Sequence, residues 1–247
     1  MATQQQRKAK ARARHEAYVA RQRSKTDKRR RRRVIGAAVA GVALVMAGGW
    51  FLWWTTSDDA AVQADFTYDQ AGNTLPAGAP AELVLDTDQG PITIALDTKR
   101  APNNSNSLAF LAGQGYFDNT ACHRLTTDAL YVLQCGDRAG TGTPGYTTAD
   151  ENLPQADQTG LATYPRGSVA MAEPSGGEAG SQFFLVYKDT QLPPDYTIVG
   201  QMTQGIDVVQ KVAAGGVSPD SPNPTDGPPA KPIAITAARV QQETPTS

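Results

Sequence analysis

The chain has 247 residues, 40% hydrophobic and 19% charged, which allows one or two folded domains. Two histidines and two cysteines, one histidine lying far N-terminal, leave no clustered ligand set for a metal-dependent hydrolase. The net charge of −1 conceals a split. Residues 1–33 carry fourteen Lys/Arg against two acids, net +12, and the rest carries nine against twenty-two, net −13. Such asymmetry separates a basic tail from an acidic domain.

In chain order, residues 34–54 come after the tail. VIGAAVAGVALVMAGGWFLWW holds twenty-one residues without a charge. As a helix it would be about 30 Å long, the thickness of a bilayer core. Arg29–Arg33 flank one end, and Trp50, Trp53 and Trp54 cluster at the other, as expected of a single transmembrane helix with an aromatic belt. The positive flank places the N-terminus in the cytoplasm and the C-terminal part outside. A cleaved signal peptide is the rival. Its apolar run is usually shorter, and the small residues Ala60–Ala64 follow two aspartates, so an uncleaved anchor is preferred. The basic tail reads as a topology signal able to contact anionic lipid; no specific nucleic acid is predicted. His15 has no partner pattern and no assigned role.

Residues 55–80 mix small, polar and turn-forming types and read as a linker. AELVLDTDQGPITIALD alternates around Gly90-Pro91 and reads as a hairpin. NNSNSLAFLAGQGYF spaces Leu108, Phe110 and Leu111 for a short buried helix, with Asn103 or Asn104 as cap and Gly113 or Gly115 as terminator. Further strands fit HRLTT, YVLQC, GSVAMA, SQFFLVY and TIVGQM. Residues 205–214 form a second short helix, 217–232 a proline-rich surface loop, and PIAITAARV a last strand. Many short strands and two short helices fit a closed β-barrel with the helices over its openings. The expected domains are 1–33 tail, 34–54 transmembrane helix, 55–80 linker, 81–242 folded domain and 243–247 C-terminal tail.

Several chemistries drop out. No G-x-S-x-G turn supports a serine hydrolase. The glycine-rich GTGTPGY (140–146) lacks the Lys-Ser/Thr of a phosphate loop and reads as a turn. His123 and Arg124 are strand neighbours that should face opposite ways, so they make no catalytic pair, and His123 reads as a hydrogen-bonded structural residue.

CHRLTT…YVLQCGD, GTGTPGYTTADEN, GSVAMAEPSGGEAGSQFFLVY and LPPDYTIVGQMTQGIDVV appear in this order, with APNNSNSLAFLAGQGYF before them. Together they resemble the cyclophilin-type peptidyl-prolyl cis/trans isomerases, over about Ala81 to Gln241. The resemblance implies a mainly β, closed, antiparallel eight-stranded barrel with two capping helices, and an isomerase (rotamase) without cofactor or metal. It implies that Arg124 is the catalytic arginine and that Gln134 holds it. Tyr131, Val132, Phe184, Leu192 and Tyr196 would form the proline pocket, while Gln182 and the backbone at Ala172 and Glu173 would hold the substrate chain. The chemistry is consistent with this. Rotation about an Xaa-Pro bond breaks no covalent bond, so a fixed guanidinium donor suffices where a nucleophile, base or metal is missing.

The chain departs from the family in three places. The connection around Thr127–Leu130 has two extra residues, Glu173 replaces a usual asparagine, and no tryptophan lies near Gln191-Leu192, where cyclosporin-binding members often have one. Cys122 and Cys135 suit a disulfide in an exterior location. Strand parity, however, points them apart unless a bulge or strand end intervenes, which leaves two buried thiols as the alternative. The tail, span and linker suit a bacterial membrane-anchored folding factor for exported proteins. The rival functions are a non-catalytic module that grips proline-containing polypeptides and a membrane assembly protein.

Overall fold

The computed structural model describes residues 68–138, 140, 144–173 and 179–242. The basic tail, the apolar segment 34–54, residues 55–67 and the 243–247 tail lie outside the described residues. No described helix is long and apolar enough to cross a membrane.

Alternating apolar residues make strands here because period two puts every second side chain on one face. The elements are β1 (Ala81–Thr87), β2 (Ile92–Leu96), α1 (Pro102–Gly113), β3 (Thr120–Ala121), β4 (Arg124–Thr126), β5 (Val132–Cys135) and β6 (Ala162–Tyr164). They continue with β7 (Ser168–Met171), β8 (Phe183–Val186), β9 (Thr190–Leu192), β10 (Ile198–Gln204), α2 (Ile206–Ala214), β11 (Asp226–Gly227) and β12 (Ala234–Gln242). Ten strands form one sheet in the order β11-β4-β5-β8-β7-β10-β2-β1-β12-β3, and β6 and β9 pair apart from it.

The expected closed eight-stranded barrel is corrected to a strongly curled ten-stranded sheet whose end strands, β11 and β3, do not pair with each other. The cause is a break at Cys122–His123. Before it, β3 pairs with β12; after it, β4 pairs with β5 and β11. One backbone bond, Cys122 N–H to Ile233 O at 3.0 Å, spans the interruption.

The concave side of the curl is the main core. Leu83, Leu85, Ile94, Leu125, Leu133 and Leu185 are fully buried in one cluster. Burial of side chains of this size contributes roughly 1.5–3 kcal/mol each. α1 presents Leu108 and Leu111 to the same core. Its expected cap is corrected, because neither Asn103 nor Asn104 caps it. The helix begins at Pro102, which lacks an N–H, and Glu151 accepts the backbone N–H groups of Asn103 (3.2 Å) and Asn104 (3.0 Å) through its two carboxylate oxygens. An acid at this end also opposes the helix dipole. Gly113 is the last helical residue, and Gly115 follows at φ 67°.

The end of the expected linker is part of the domain. Leu75 is buried in the main core, and Tyr68 packs edge-on against Phe110 at 5.1 Å. Asn106 Oδ1 accepts the N–H groups of Thr74 (2.7 Å) and Leu75 (2.9 Å), and its Nδ2 donates to Gly72 O (2.8 Å). Residues 68–75 thus strap α1 from outside, a role their turn-rich composition did not reveal.

Candidate active site

Arg124 and Gln134 sit directly opposite each other where β4 pairs with β5. The same line continues across the sheet, from Gln134 to Phe184 on β8 and from Phe184 to Ala170 on β7. Parity decides what this line can do. Leu125, Leu133, Cys135, Phe183, Leu185 and Val169 face the main core, so their neighbours on the same strands face the other side. There a second apolar cluster forms from Val132, Ala162, Tyr164, Ala170, Phe184 and Val186, with Leu130, Leu192, Tyr196 and Ile198 packed against it.

The polar end of the line is a connected network. Arg124 Nη1 donates to Gln134 Oε1 at 3.1 Å, and Gln134 Nε2 donates to Gln182 Oε1 at 2.5 Å. With its oxygen turned to the guanidinium, the Gln134 amide has its nitrogen turned to Gln182, so each orientation dictates the next. From the other side Asp226 takes two bonds, from Arg124 Nε (2.7 Å) and Nη2 (3.0 Å). Gly136 closes the far end of β5 at φ 86°, where a side chain would meet Ser181 O at 2.4 Å. That close approach sets the turn beside Gln182.

The apolar end contains most of the expected residues. Phe184 meets Tyr196 edge-on at 5.6 Å, and Tyr164 lies 6.2 Å from each. The Tyr164 hydroxyl accepts Tyr196 N–H (3.1 Å) and donates towards Pro193 O and Tyr196 O, so a fully buried phenol anchors the Leu192–Tyr196 segment. Burial pushes its pKa up. Tyr131 does not join the cluster. Its ring lies under Lys188 Nζ at 4.2 Å and edge-on to Tyr187 at 6.0 Å, while Leu130 packs against the cluster. The reason is the longer connection. Ala129 sits at φ 58° and Leu130 N–H bonds back to Asp128 O, which alters how the chain enters β5.

Ala172 is buried, and its N–H is committed to Gln182 O at 2.9 Å. Glu173 beside it has its pKa pushed up to about 7, by burial first and then by Asp150 and Asp195. Asp150 belongs to the TTADEN motif, whose other two acidic or amide residues are struts: Glu151 caps α1 and Asn152 Nδ2 donates to Ile198 O at 2.7 Å.

Cys122 and Cys135 are joined by a disulfide, the first of the two alternatives. Cys122 lies in the break before β4, outside its alternation, so the parity objection does not apply. His123, in the same break, departs from expectation: its Nδ1 is buried with no hydrogen-bond partner among the described residues. Burial lowers its pKa, and Arg124 adds to that while Asp137 opposes it. A neutral ring is the form this site tolerates. No group of His, Cys, Asp and Glu among the described residues is arranged to hold a metal ion.

Residues 83–240 match the family model described as Cyclophilin type peptidyl-prolyl cis-trans isomerase/CLD. The chain belongs to this cyclophilin family. It is 43% identical over 183 residues to a Probable peptidyl-prolyl cis-trans isomerase B of Mycobacterium leprae, covering 69% of this chain and 60% of the relative. It is 31% identical over 163 residues to a Peptidyl-prolyl cis-trans isomerase-like 1 of Neurospora crassa, covering 66% of this chain and 95% of that one. A crystal structure of a Cryptosporidium parvum cyclophilin type isomerase, determined in the presence of dipeptide Ala-Pro, aligns with a TM-score of 0.46 at 21% identity, covering 65% of this chain and 98% of that one. The chain thus spans about 60% of the mycobacterial relative's length.

Three residues of this cyclophilin's candidate site escaped the sequence reading: Asp226, Tyr164 and Leu130. Tyr164 carried a usable signal, an aromatic in alternation with Ala162 on β6. Asp226 carried none, because the strand that presents it has two residues.

Proposed function

We propose that this cyclophilin catalyses cis/trans isomerisation of Xaa-Pro bonds in proline-containing segments of exported or cell-surface proteins. The observation that carries the reading is the single line Arg124–Gln134–Phe184–Ala170, which runs from an oriented guanidinium into an apolar cluster. A proline ring seated against Phe184, Leu192 and Tyr196 puts its amide nitrogen towards Arg124. In the planar amide that nitrogen donates into the carbonyl, which gives a barrier of about 18–20 kcal/mol. In the twisted amide the lone pair is localised and accepts an N–H from Arg124, a bond the planar state cannot make equally well. Such differential binding lowers the barrier. Val132 closes the apolar side, Gln182 continues the hydrogen-bond relay towards the peptide backbone, and Ala172 and Glu173 border the chain before proline. The disulfide ties the break before β4 to the end of β5, two residues from Arg124 and one from Gln134.

In this reading residues 34–54 anchor the chain as a single pass, the basic tail stays in the cytoplasm near anionic lipid, and the isomerase domain lies outside. An external protease applied to intact cells should remove the domain and spare the tail.

The test is NMR exchange of an Ala-Pro peptide with the full-length chain. The wild type should far exceed the spontaneous process, which takes roughly 10–100 s. Arg124→Ala should slow turnover about 100-fold or more, the usual cost of losing one preorganised donor. A folded wild type that leaves the peptide at its spontaneous rate would dismiss the isomerase reading.

A further inference from the structure

We propose that Asp226 is a positioning residue, whose carboxylate fixes the plane and rotamer of the Arg124 guanidinium. The proposal rests on the reading of Arg124 as donor to the twisted amide. An arginine side chain carries about 2 kcal/mol of rotamer entropy, and a donor that wanders over several rotamers stabilises a transition state poorly. Gln134 holds one nitrogen, Nη1, by one bond. That bond by itself does not set the plane of the guanidinium. Asp226 adds two near-parallel bonds, to Nε at 2.7 Å and Nη2 at 3.0 Å, so all three nitrogens are held and the plane is set.

The carboxylate is delivered by a locked turn. β11 pairs with β4, Asp226 opposite Thr126 and Gly227 opposite Leu125, and Thr127 N–H bonds to Thr225 O at 3.0 Å. Asn223 Oδ1 accepts both the N–H and the hydroxyl of Thr225 at 3.1 Å. Ser221 Oγ donates to Asp226 O at 3.2 Å, and a Cβ on Gly227 would lie 2.2 Å from that hydroxyl oxygen, so a side chain there would displace Ser221. Pro222 and Pro224 fix two further backbone angles in the same turn. The proline-rich stretch is thus a bracket that aims one side chain at Arg124.

Fold stability alone does not explain why the carboxylate meets two of the guanidinium nitrogens. The two side chains are 33% and 29% exposed, so solvent screening reduces what the pair adds to folding. Orientation of the donor does account for it.

The experiment uses full-length protein with Asp226→Asn, Asp226→Ala, Asp226→Glu and Arg124→Ala, with the peptide exchange assay and thermal unfolding on each. Asp226→Asn should lower kcat about tenfold, some 1.4 kcal/mol of transition-state stabilisation. KM and melting temperature should hold, and Asp226→Glu should recover part of the loss. In an Arg124→Ala background, Asp226→Asn should cost nothing further. The Arg124 Nε–H resonance should be sharp and slowly exchanging in the wild type and lose that protection in Asp226→Asn. The near-isosteric asparagine carries the test if the alanine variant does not fold. Wild-type or raised kcat in Asp226→Asn, with Arg124→Ala still slow, would overturn the positioning role and leave the isomerase reading intact. Wild-type kcat in Arg124→Ala would overturn both.

Discussion

Removing the Cys122–Cys135 bond should destabilise the domain by about 3 kcal/mol. The two cysteines are 13 apart in sequence, and their disulfide closes a short loop around the β4–β5 connection. Loop-closure entropy for a ring of that size is about 10 cal/mol/K, which gives about 3 kcal/mol at 25 °C when the cross-link is absent from the unfolded chain. For a domain of this size each kcal/mol moves the midpoint by about 2–4 °C, so Cys122→Ala/Cys135→Ala should melt about 6–12 °C lower. The assay is thermal unfolding of the full-length protein in mild detergent, for wild type with and without reductant and for the double variant. Reduced wild type and the double variant should converge. Turnover at 25 °C should change little, because the ladder pairing Arg124 with Gln134 and the bonds to Asp226 do not run through sulfur. A double variant melting within about 2 °C of the wild type would refute the entropic argument.

Glu173 should make stability fall with rising pH. Its folded pKa of about 7 lies above the ordinary 4.5, so between those values the native state holds a proton that the unfolded chain has released. Its destabilising effect is absent below the unfolded value and complete above the folded one. Glu173→Gln should therefore melt above the wild type at pH 8, with the gap closing towards pH 4.5; a gap that widens on acidification would contradict the assignment. Asn106→Ala removes the three bonds that hold residues 72–75. At about 1 kcal/mol each it should cost roughly 2–3 kcal/mol, and hydrogen exchange should show the loss first at Thr74 and Leu75.

How far the sequence disclosed the site depended on how each residue is placed. Arg124, Gln134 and Phe184 lie on strands where alternation and motif order agree, and they meet in register. Tyr131 packs beside Lys188 and Tyr187 while Leu130 reaches the apolar cluster, a placement set by the path of the loop before β5, which no periodic pattern records. Asp226 lies 102 residues from Arg124 on a two-residue strand, too short to leave a period. Glu151 caps α1 from 47 residues away, so local capping rules pointed to the asparagines instead. The barrel expectation failed at Cys122–His123, where two residues without ladder partners separate β3 from β4, a break that a count of short strands does not reveal.

Strands β5, β7 and β8 serve two masters on alternate residues: odd positions such as Leu133, Val169 and Leu185 fill the core, and even ones such as Val132, Ala170 and Phe184 line the candidate site. This interleaving bears on how the protein can diverge. Substitutions at even positions can retune specificity while leaving core packing alone, so the two traits vary along nearly independent axes. A one-residue insertion or deletion within such a strand instead exchanges the two sets wholesale, and both traits are lost together. Length change is confined to places where it does not propagate, such as the expanded turn before β5. A lineage of such proteins should therefore record its specialisation as point substitutions of one parity and as loop lengths, with the strands themselves fixed in size.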